Sequence, residues 1–151
     1  MKNYKTGDFN LIQRKQKRVI TFGVFDFFHI GHLRLFKNIR KMVGEPCYLI
    51  VAMQDGDYIN KTKPGTQVLY STEERKEFLT SIKEIDEVVV YTFSDTMIHI
   101  IDFDVLAVGP DQTNPHFQKC FEYCSQNEKQ IIITPRTEGI SSTDIKERLD
   151  I

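Results

Sequence analysis

The sequence has no apolar run that could cross a membrane, which requires about 18 or more consecutive apolar residues. The amino-terminal segment MKNYKTGDFNLIQRKQK also lacks the apolar core of a signal peptide. The formal net charge is only −1 over 151 residues, so the basic excess typical of a general nucleic-acid binder is missing. We therefore expect a cytoplasmic protein that binds neither a membrane nor nucleic acid.

Cysteine is also scarce, with only Cys47, Cys120 and Cys124. Three cysteines cannot all pair within one chain, and the sequence is not a short secreted one, so we expect reduced thiols. Cys120 and Cys124 stand four residues apart in a predicted helix, which could bring two thiolates together. However, no second Cys or His pair follows at the spacing of a zinc site, so the sequence favours free thiols over a metal site.

What the sequence does contain is an alternation of short apolar segments and longer amphipathic ones. Hydrophobic residues make up 40% and charged residues 27% of the chain, which suits one soluble domain of this length. Residues 1–17 are polar and are predicted to form an N-terminal extension, which leaves residues 18–151 for the domain. Five strands are predicted, at RVITFG, CYLIVAM, EVVVYTF, DVLAVG and QIIITP.

Helical patterns separate these strands. The predicted helices are HLRLFKNIRKMV, STEERKEFLTSI, DTMIHII, NPHFQKCFEYCSQN and SSTDIKERL, and the polar segment QDGDYINKTKPGTQ is predicted to be a loop. Strands that are apolar throughout and alternate with helices indicate a parallel sheet covered on both faces. The predicted fold is therefore α/β, a Rossmann-like single domain with a doubly wound five-stranded parallel sheet.

The segment GVFDFFHIGH, which follows the first strand, is the strongest candidate for a functional site. Open parallel sheets bind ligands beyond the carboxyl ends of their strands. Gly23 would allow close approach by a ligand, and a helix that begins near Gly31 would direct free N–H groups towards an anion. His29 and His32 could then donate to phosphate oxygens, but they could equally be a capping and a packing residue. A metal site is disfavoured because the spacing is three and no carboxylate lies between the histidines. The glycine on this turn favours phosphate binding.

Two motifs carry a family resemblance. GVFDFFHIGH resembles the HxGH signature of the nucleotidyltransferase superfamily, and RTEGISSTDIK, residues 136–146, resembles its second signature in the form found in cytidylyltransferases. The similarity, which extends from Arg18 to the C-terminus, is greatest to the glycerol-3-phosphate cytidylyltransferases. It implies that a phosphate oxygen of a phosphorylated alcohol attacks the α-phosphorus of CTP directly, giving a CDP-linked product and pyrophosphate. It also implies Mg²⁺ held mainly by the triphosphate, with no assigned protein ligand, and a homodimer.

The resemblance further implies roles for individual residues. The catalytic residues would be His29, His32, Lys63 and Arg136. The nucleotide-binding residues would be Gly23, Val24, Phe25, Gly31, Lys61, Arg75, Asp111, Thr137, Ser141 and Ser142. The acceptor would be contacted by Asp26, Lys83 and Gln112. For the two serines an alternative stays open, since they would cap the last helix even without a ligand.

The segment after the fourth strand departs from the family pattern. Where the family commonly has a GDDW-like stretch, this chain has GPDQ, with Pro110 replacing an acid and Gln112 an aromatic residue. Lys83 stands where the glycerol-3-phosphate enzymes have an arginine. We therefore expect nucleotidyl transfer with a modified acceptor site.

Two other functions remain compatible with the motifs. One is an ATP-dependent adenylyltransferase of the same superfamily, of the kind that acts on a heptose phosphate or a flavin precursor, although RTEGISS favours CTP. The other is a non-catalytic module that binds CTP. The presence of both histidines together with Arg136, Ser141 and Ser142 argues against this second alternative.

Overall fold

We analysed a computed structural model that describes residues 16–62, 65, 67–136 and 147–149. The strands are β1 (Lys17–Gly23), β2 (Cys47–Gln54), β3 (Glu87–Tyr91), β4 (Val105–Val108) and β5 (Gln130–Ile133). The helices are α1 (Ile30–Val43), α2 (Gly56–Thr62), α3 (Thr72–Thr80), α4 (Ser94–Met97) and α5 (Pro115–Gln126). The predicted extension and most of the predicted last helix lie outside the described residues.

The five strands form one parallel sheet in the order β3-β2-β1-β4-β5. The chain therefore builds outwards from β1 to β3 and then crosses back to place β4 on the other side of β1. This confirms the predicted doubly wound α/β fold and makes β1 the central strand. The point where the order reverses lies between β1 and β4, where such sheets bind their ligands.

Two apolar clusters cover the two faces of the sheet. Val19 of β1 packs with Phe36 and Ile39 of α1 on one face, while Ile20 packs with Phe117 of α5 on the other. Successive residues of a strand point to opposite faces, so a strand covered on both sides must be apolar throughout. This is why β1, β2 and β4, whose central residues are buried, were recognisable as apolar runs.

Local capping sets where the helices begin. Ser71 caps α3, with its hydroxyl accepting from the Glu74 N–H and the Glu74 carboxylate accepting from the Ser71 N–H, both at 3.0 Å. Asn114 caps α5, and Pro115 occupies its first turn, where a missing N–H costs nothing. The helix α2, by contrast, lies within the segment predicted to be a loop, and that prediction was wrong.

The cysteines behave as the sequence predicted. All three are free and buried, and burial raises the pKa of Cys124 to about 11, which keeps it a thiol. Among the described residues, no group of three or more His, Cys, Asp or Glu side chains is arranged to hold a metal ion. In the same part of the chain, no helix has the length and apolar character that a membrane span requires.

Candidate active site

A cleft of about 390 Å³ opens at the carboxyl ends of β1 and β4. Its floor is formed by the end of β1, and His32 and Leu35 of α1 form one wall. Gln67 and Val68, which precede α3, also line it. The cleft therefore lies at the reversal of strand order, where the sequence placed the ligand site.

His29 and His32 form a reciprocal cap at the start of α1. The Nδ1 atom of His29 accepts from the Gly31 N–H at 3.0 Å, and the Nδ1 atom of His32 accepts from the His29 N–H at 3.2 Å. The two rings stack with their centroids 3.9 Å apart. Because each Nδ1 accepts a backbone hydrogen bond, the network assigns the proton of each neutral ring to Nε2.

Both histidines are held in the neutral form. Burial lowers the pKa of His32 to about 4, assisted by the adjacent His29 and opposed by the carboxylate of Asp26. Burial also lowers the pKa of His29. At neutral pH the pair therefore offers two Nε2–H donors at a helix N-terminus, an arrangement suited to phosphate oxygens. The capping and phosphate-binding interpretations of these histidines are thus compatible.

The turn between β1 and α1 has an unusual backbone. Phe25 and Phe27 adopt the left-handed region, with φ of 55° and 48°. Bulky residues in this region cost of order 1–3 kcal/mol each and are concentrated at functional sites. The ring of Phe25 folds back over Gly23, where a Cβ atom would lie 2.7 Å from Cζ of Phe25. Gly23 is therefore required here by the packing of Phe25.

Asp26 anchors the loop that walls the cleft. Its two carboxylate oxygens accept from the N–H groups of Leu69 and Tyr70 at 2.7 and 3.0 Å, and the residue is only 7% exposed. It also lines the cleft. The acceptor contact predicted for Asp26 stays a prediction, but its main observed role is to hold the loop in place.

Arg75 is buried among backbone carbonyl groups. Its guanidinium is buried and donates to the carbonyl oxygens of Val24, Gln54 and Tyr70 at 2.7 to 3.2 Å. The side chain is only 2% exposed, and these bonds join the ends of β1 and β2 to the loop before α3. The observed role of Arg75 is to position these loops, and its predicted contact with the nucleotide stays a prediction.

Gln112 joins the ends of β1 and β4. Its Nε2 donates to the Phe22 carbonyl at 2.7 Å, and its Oε1 accepts from the Gly109 N–H at 3.0 Å. Beside it, the Arg136 guanidinium pairs with Asp111 at 2.7 Å, and both side chains are exposed. The structure thus brings these three predicted site residues to the same edge of the sheet.

The two lysines outside the motifs have different positions. Lys61 is exposed in the last turn of α2, which follows the carboxyl end of β2, rather than in a loop. Lys83 precedes β3 and therefore lies at the amino ends of the strands, opposite the cleft. Within one chain Lys83 does not line the first cleft, and its predicted contact with the acceptor stays a prediction. Lys63, Thr137, Ser141 and Ser142 lie outside the described residues.

A second cleft, of about 380 Å³, adjoins the first and shares Gly23, Val24 and Gln112 with it. It is lined by aromatic and uncharged polar side chains from the ends of β2 and β3 and from the start of α5. At its rim, Nδ1 of His116 lies 2.9 Å from the carboxylate of Asp95. Neither residue was singled out from the sequence, although the segments containing them follow the carboxyl ends of β3 and β4.

Comparisons with known proteins agree with this geometry. The model of a family described as cytidylyltransferase-like matches residues 20–148. The chain is 34% identical over 137 residues to the glycerol-3-phosphate cytidylyltransferase of Bacillus subtilis (strain 168), covering 88% of this chain and 97% of the relative. It is 33% identical over 105 residues to the FAD synthase of Thermococcus sibiricus (strain DSM 12597 / MM 739), covering 68% of each.

The fold is also found among solved structures. The lipopolysaccharide core biosynthesis protein from Thermoplasma volcanium GSS1 superposes with a TM-score of 0.60 at 21% identity, covering 80% of this chain and 96% of that protein. This similarity supports the fold assignment alone, since identity at this level does not carry function.

Proposed function

Because the chain belongs to the cytidylyltransferase-like family and is therefore a nucleotidyltransferase, we propose that it transfers CMP from CTP to a small phosphorylated alcohol. The products would be a CDP-linked alcohol and pyrophosphate. The observation that carries the proposal is the neutral pair His29 and His32, whose Nε2–H donors stand at the N-terminus of α1 beside the first cleft.

The chemistry requires little proton transfer. A phosphate oxygen of the acceptor attacks the α-phosphorus, and the bond to the bridging oxygen breaks so that pyrophosphate leaves with the electron pair. The attacking oxygen is already anionic, so no general base is needed. What the protein must supply is alignment of two anions and stabilisation of the charge that develops at phosphorus.

The residues at the start of α1 suit that task. His32, which lines the first cleft, and His29, which stacks on it, would donate to the phosphate oxygens through Nε2, and the free N–H groups of the first turn of α1 would add their partial positive charge. Neutral donors fixed by backbone hydrogen bonds need no reorganisation as charge develops. Arg136, exposed beside Gln112, would stabilise the leaving pyrophosphate.

Mg²⁺ would enter with the triphosphate. Its preferred ligands are oxygens in an octahedral arrangement, often supplied largely by substrate phosphates and water. The described part of the cleft offers the carboxylate of Asp26, already engaged with two backbone N–H groups, and no cluster that would form a cage. These donors fit an ion held mainly by the nucleotide, and the ion would neutralise phosphate charge when bound.

The nucleotide is the sharpest test of the proposal. Pyrophosphate release should be measured with each of the four nucleoside triphosphates, with glycerol 3-phosphate as the acceptor. We expect release with CTP to exceed release with the other three by at least an order of magnitude. The similarity to FAD synthase makes an adenylyltransferase the second candidate, and a preference for ATP would decide in its favour.

A further inference from the structure

The turn that follows β4 is closed by the side chain of its own last residue. The backbone N–H of Gln112 donates to the Gly109 carbonyl at 3.2 Å, which is the hydrogen bond of a β-turn over residues 109–112. In return, Oε1 of Gln112 accepts from the Gly109 N–H at 3.0 Å. Pro110 occupies the second position of the turn, where its fixed φ is favourable. The turn is therefore held through both its backbone and a side chain.

The same amide ties this turn to β1. The paired register between β1 and β4 ends at Thr21 and Ala107. Beyond that pair, Nε2 of Gln112 donates to the Phe22 carbonyl at 2.7 Å. A side-chain amide offers the same kinds of donor and acceptor as a peptide group, so Gln112 supplies the next hydrogen-bonded link between the two strands. This link fixes the turn relative to the floor of the first cleft, at the reversal of strand order.

The turn carries Asp111, which pairs with Arg136. The two side chains are 73% and 59% exposed, and an exposed ion pair contributes little order by itself. The order must come from the segments on which the two residues lie. Arg136 follows two residues after Thr134, which is buried and donates to the Val108 carbonyl through its N–H at 2.8 Å and its hydroxyl at 3.2 Å. Both partners of the ion pair are therefore anchored to the end of β4.

The two departures from the family pattern thus have one structural result. Pro110 and Gln112 stand where the family commonly has an acidic and an aromatic residue, and together they build this closed turn. We infer that Gln112 is a positioning residue, which fixes the turn so that Asp111 holds Arg136 in place for the departing pyrophosphate. This inference rests on the proposed function, in which Arg136 stabilises the leaving group.

A double-mutant cycle between Gln112 and Arg136 tests the inference. The variants are Gln112→Met, Arg136→Ala and the two combined, since methionine is similar in size to glutamine but makes neither hydrogen bond. Gln112→Asn is a second variant, whose amide is one methylene too short to keep the bonds to both Gly109 and Phe22. Gln126→Met is the matched control, because Gln126 is exposed at the last position of α5. Pyrophosphate release from CTP and glycerol 3-phosphate gives kcat and both KM values.

We expect Gln112→Met to lower kcat about tenfold, while the KM values for CTP and glycerol 3-phosphate stay within about twofold, because the displaced Arg136 contact acts in the transition state. In the Arg136→Ala background the same substitution should lower kcat by less than about twofold, since the residue through which it acts is already gone. Gln112→Asn should lie between Gln112→Met and the wild type, and Gln126→Met should match the wild type. Melting temperatures would show which variants are folded.

The other outcomes separate the inference from the proposed function. An unchanged kcat in Gln112→Met, or losses that multiply in the double variant, would overturn the inference and leave cytidylyl transfer intact. A raised KM for glycerol 3-phosphate with kcat unchanged would instead show a direct contact with the acceptor. If neither Gln112 variant folds, Gln112 serves the fold rather than the reaction, which also overturns the inference. Pyrophosphate release with ATP and not CTP would refute the proposed function alone, and the same cycle would then be measured with ATP. If no nucleoside triphosphate yields pyrophosphate, both fail.

Discussion

The backbone N–H of His29 donates to Nδ1 of His32 across 3.2 Å, while the two imidazole rings stack 3.9 Å apart. The two nitrogens of each ring therefore have different roles. Nδ1 fixes the start of α1, and Nε2, which carries the proton, is the nitrogen that we propose donates to the phosphates. The two tasks can be separated by substitution.

His29→Asn should reduce turnover without destabilising the helix. Asparagine is a favourable N-cap and can accept the Gly31 N–H in place of Nδ1, but it has no donor at the position of Nε2. We expect kcat to fall about 100-fold, the cost of one transition-state donor, with little change in the KM for CTP. Steady-state kinetics measure both quantities.

His29→Ala is the matched comparison, because it removes the cap as well. It should lower kcat by a similar factor and also lower the free energy of unfolding by about 1 kcal/mol. Equal stability of the two variants would contradict the capping role. Undiminished turnover in His29→Asn would contradict the donor role.

His32 should make stability depend on pH. Its pKa is about 4 in the folded protein, against an ordinary value of 6.5, so between these values the unfolded chain binds the extra proton and the native state does not. Its contribution is therefore fully present above pH 6.5 and is lost as the pH falls towards 4. The loss is at most about 3 kcal/mol.

Chemical denaturation of the wild type and His32→Gln from pH 7 to 4.5 checks this. The wild type should lose more of its unfolding free energy over the interval than the variant, because glutamine does not titrate. Parallel pH profiles would show that His32 is not held neutral by the fold.

Gly23→Ala should destabilise the turn after β1. A Cβ atom there would lie 2.7 Å from the ring of Phe25, and this ring is buried and flanked by other core residues. We expect the free energy of unfolding to fall by about 1–3 kcal/mol. The control is Gly109→Ala on the neighbouring strand end, where an added Cβ meets nothing within 4 Å. Similar losses in the two variants would argue against the packing account.

Arg75→Lys should weaken the walls of the first cleft despite conserving the charge. A lysine cannot reproduce the fork that reaches the carbonyls of Val24, Gln54 and Tyr70. We expect a loss of about 2–3 kcal/mol in unfolding free energy, together with faster hydrogen exchange at the N–H groups of the loop at Leu69 and Tyr70. Lys76→Ala, an exposed neighbour on α3, should leave both measurements near wild type.

Much of the fold could be predicted because its determinants are local. The central residues of β1 and β2 are buried on both faces and nearly all apolar, and the caps Ser71 and Asn114 mark helix starts directly. The helix α2 was missed because it is short and polar, with Ile59 as its buried hydrophobic residue. Seven residues with so little apolar periodicity resemble a loop.

The positions of candidate site residues could be predicted where one local motif determines them. They could not be predicted where contacts between distant parts of the chain determine them. His29 and His32 are held by hydrogen bonds to residues within three positions of them in the sequence. Their arrangement could therefore be predicted from their spacing. Arg75 lies in a polar segment that the sequence suggests is exposed. It is buried because it contacts the ends of β1 and β2, at residues 51 and 21 positions earlier in the chain. The distance of Lys83 from the cleft could not be predicted, because the end of the sheet at which it lies follows from the parallel arrangement of the strands.

The most direct test of the central claim is product analysis. Wild-type protein and His29→Asn should each be incubated with CTP, Mg²⁺ and glycerol 3-phosphate, and the CDP-linked product and pyrophosphate quantified by mass spectrometry and a coupled assay. The account predicts equal amounts of the two products from the wild type, formed about 100-fold more slowly by the variant. Absence of the CDP-linked product from the wild type, or its formation at the same rate by the variant, would contradict it.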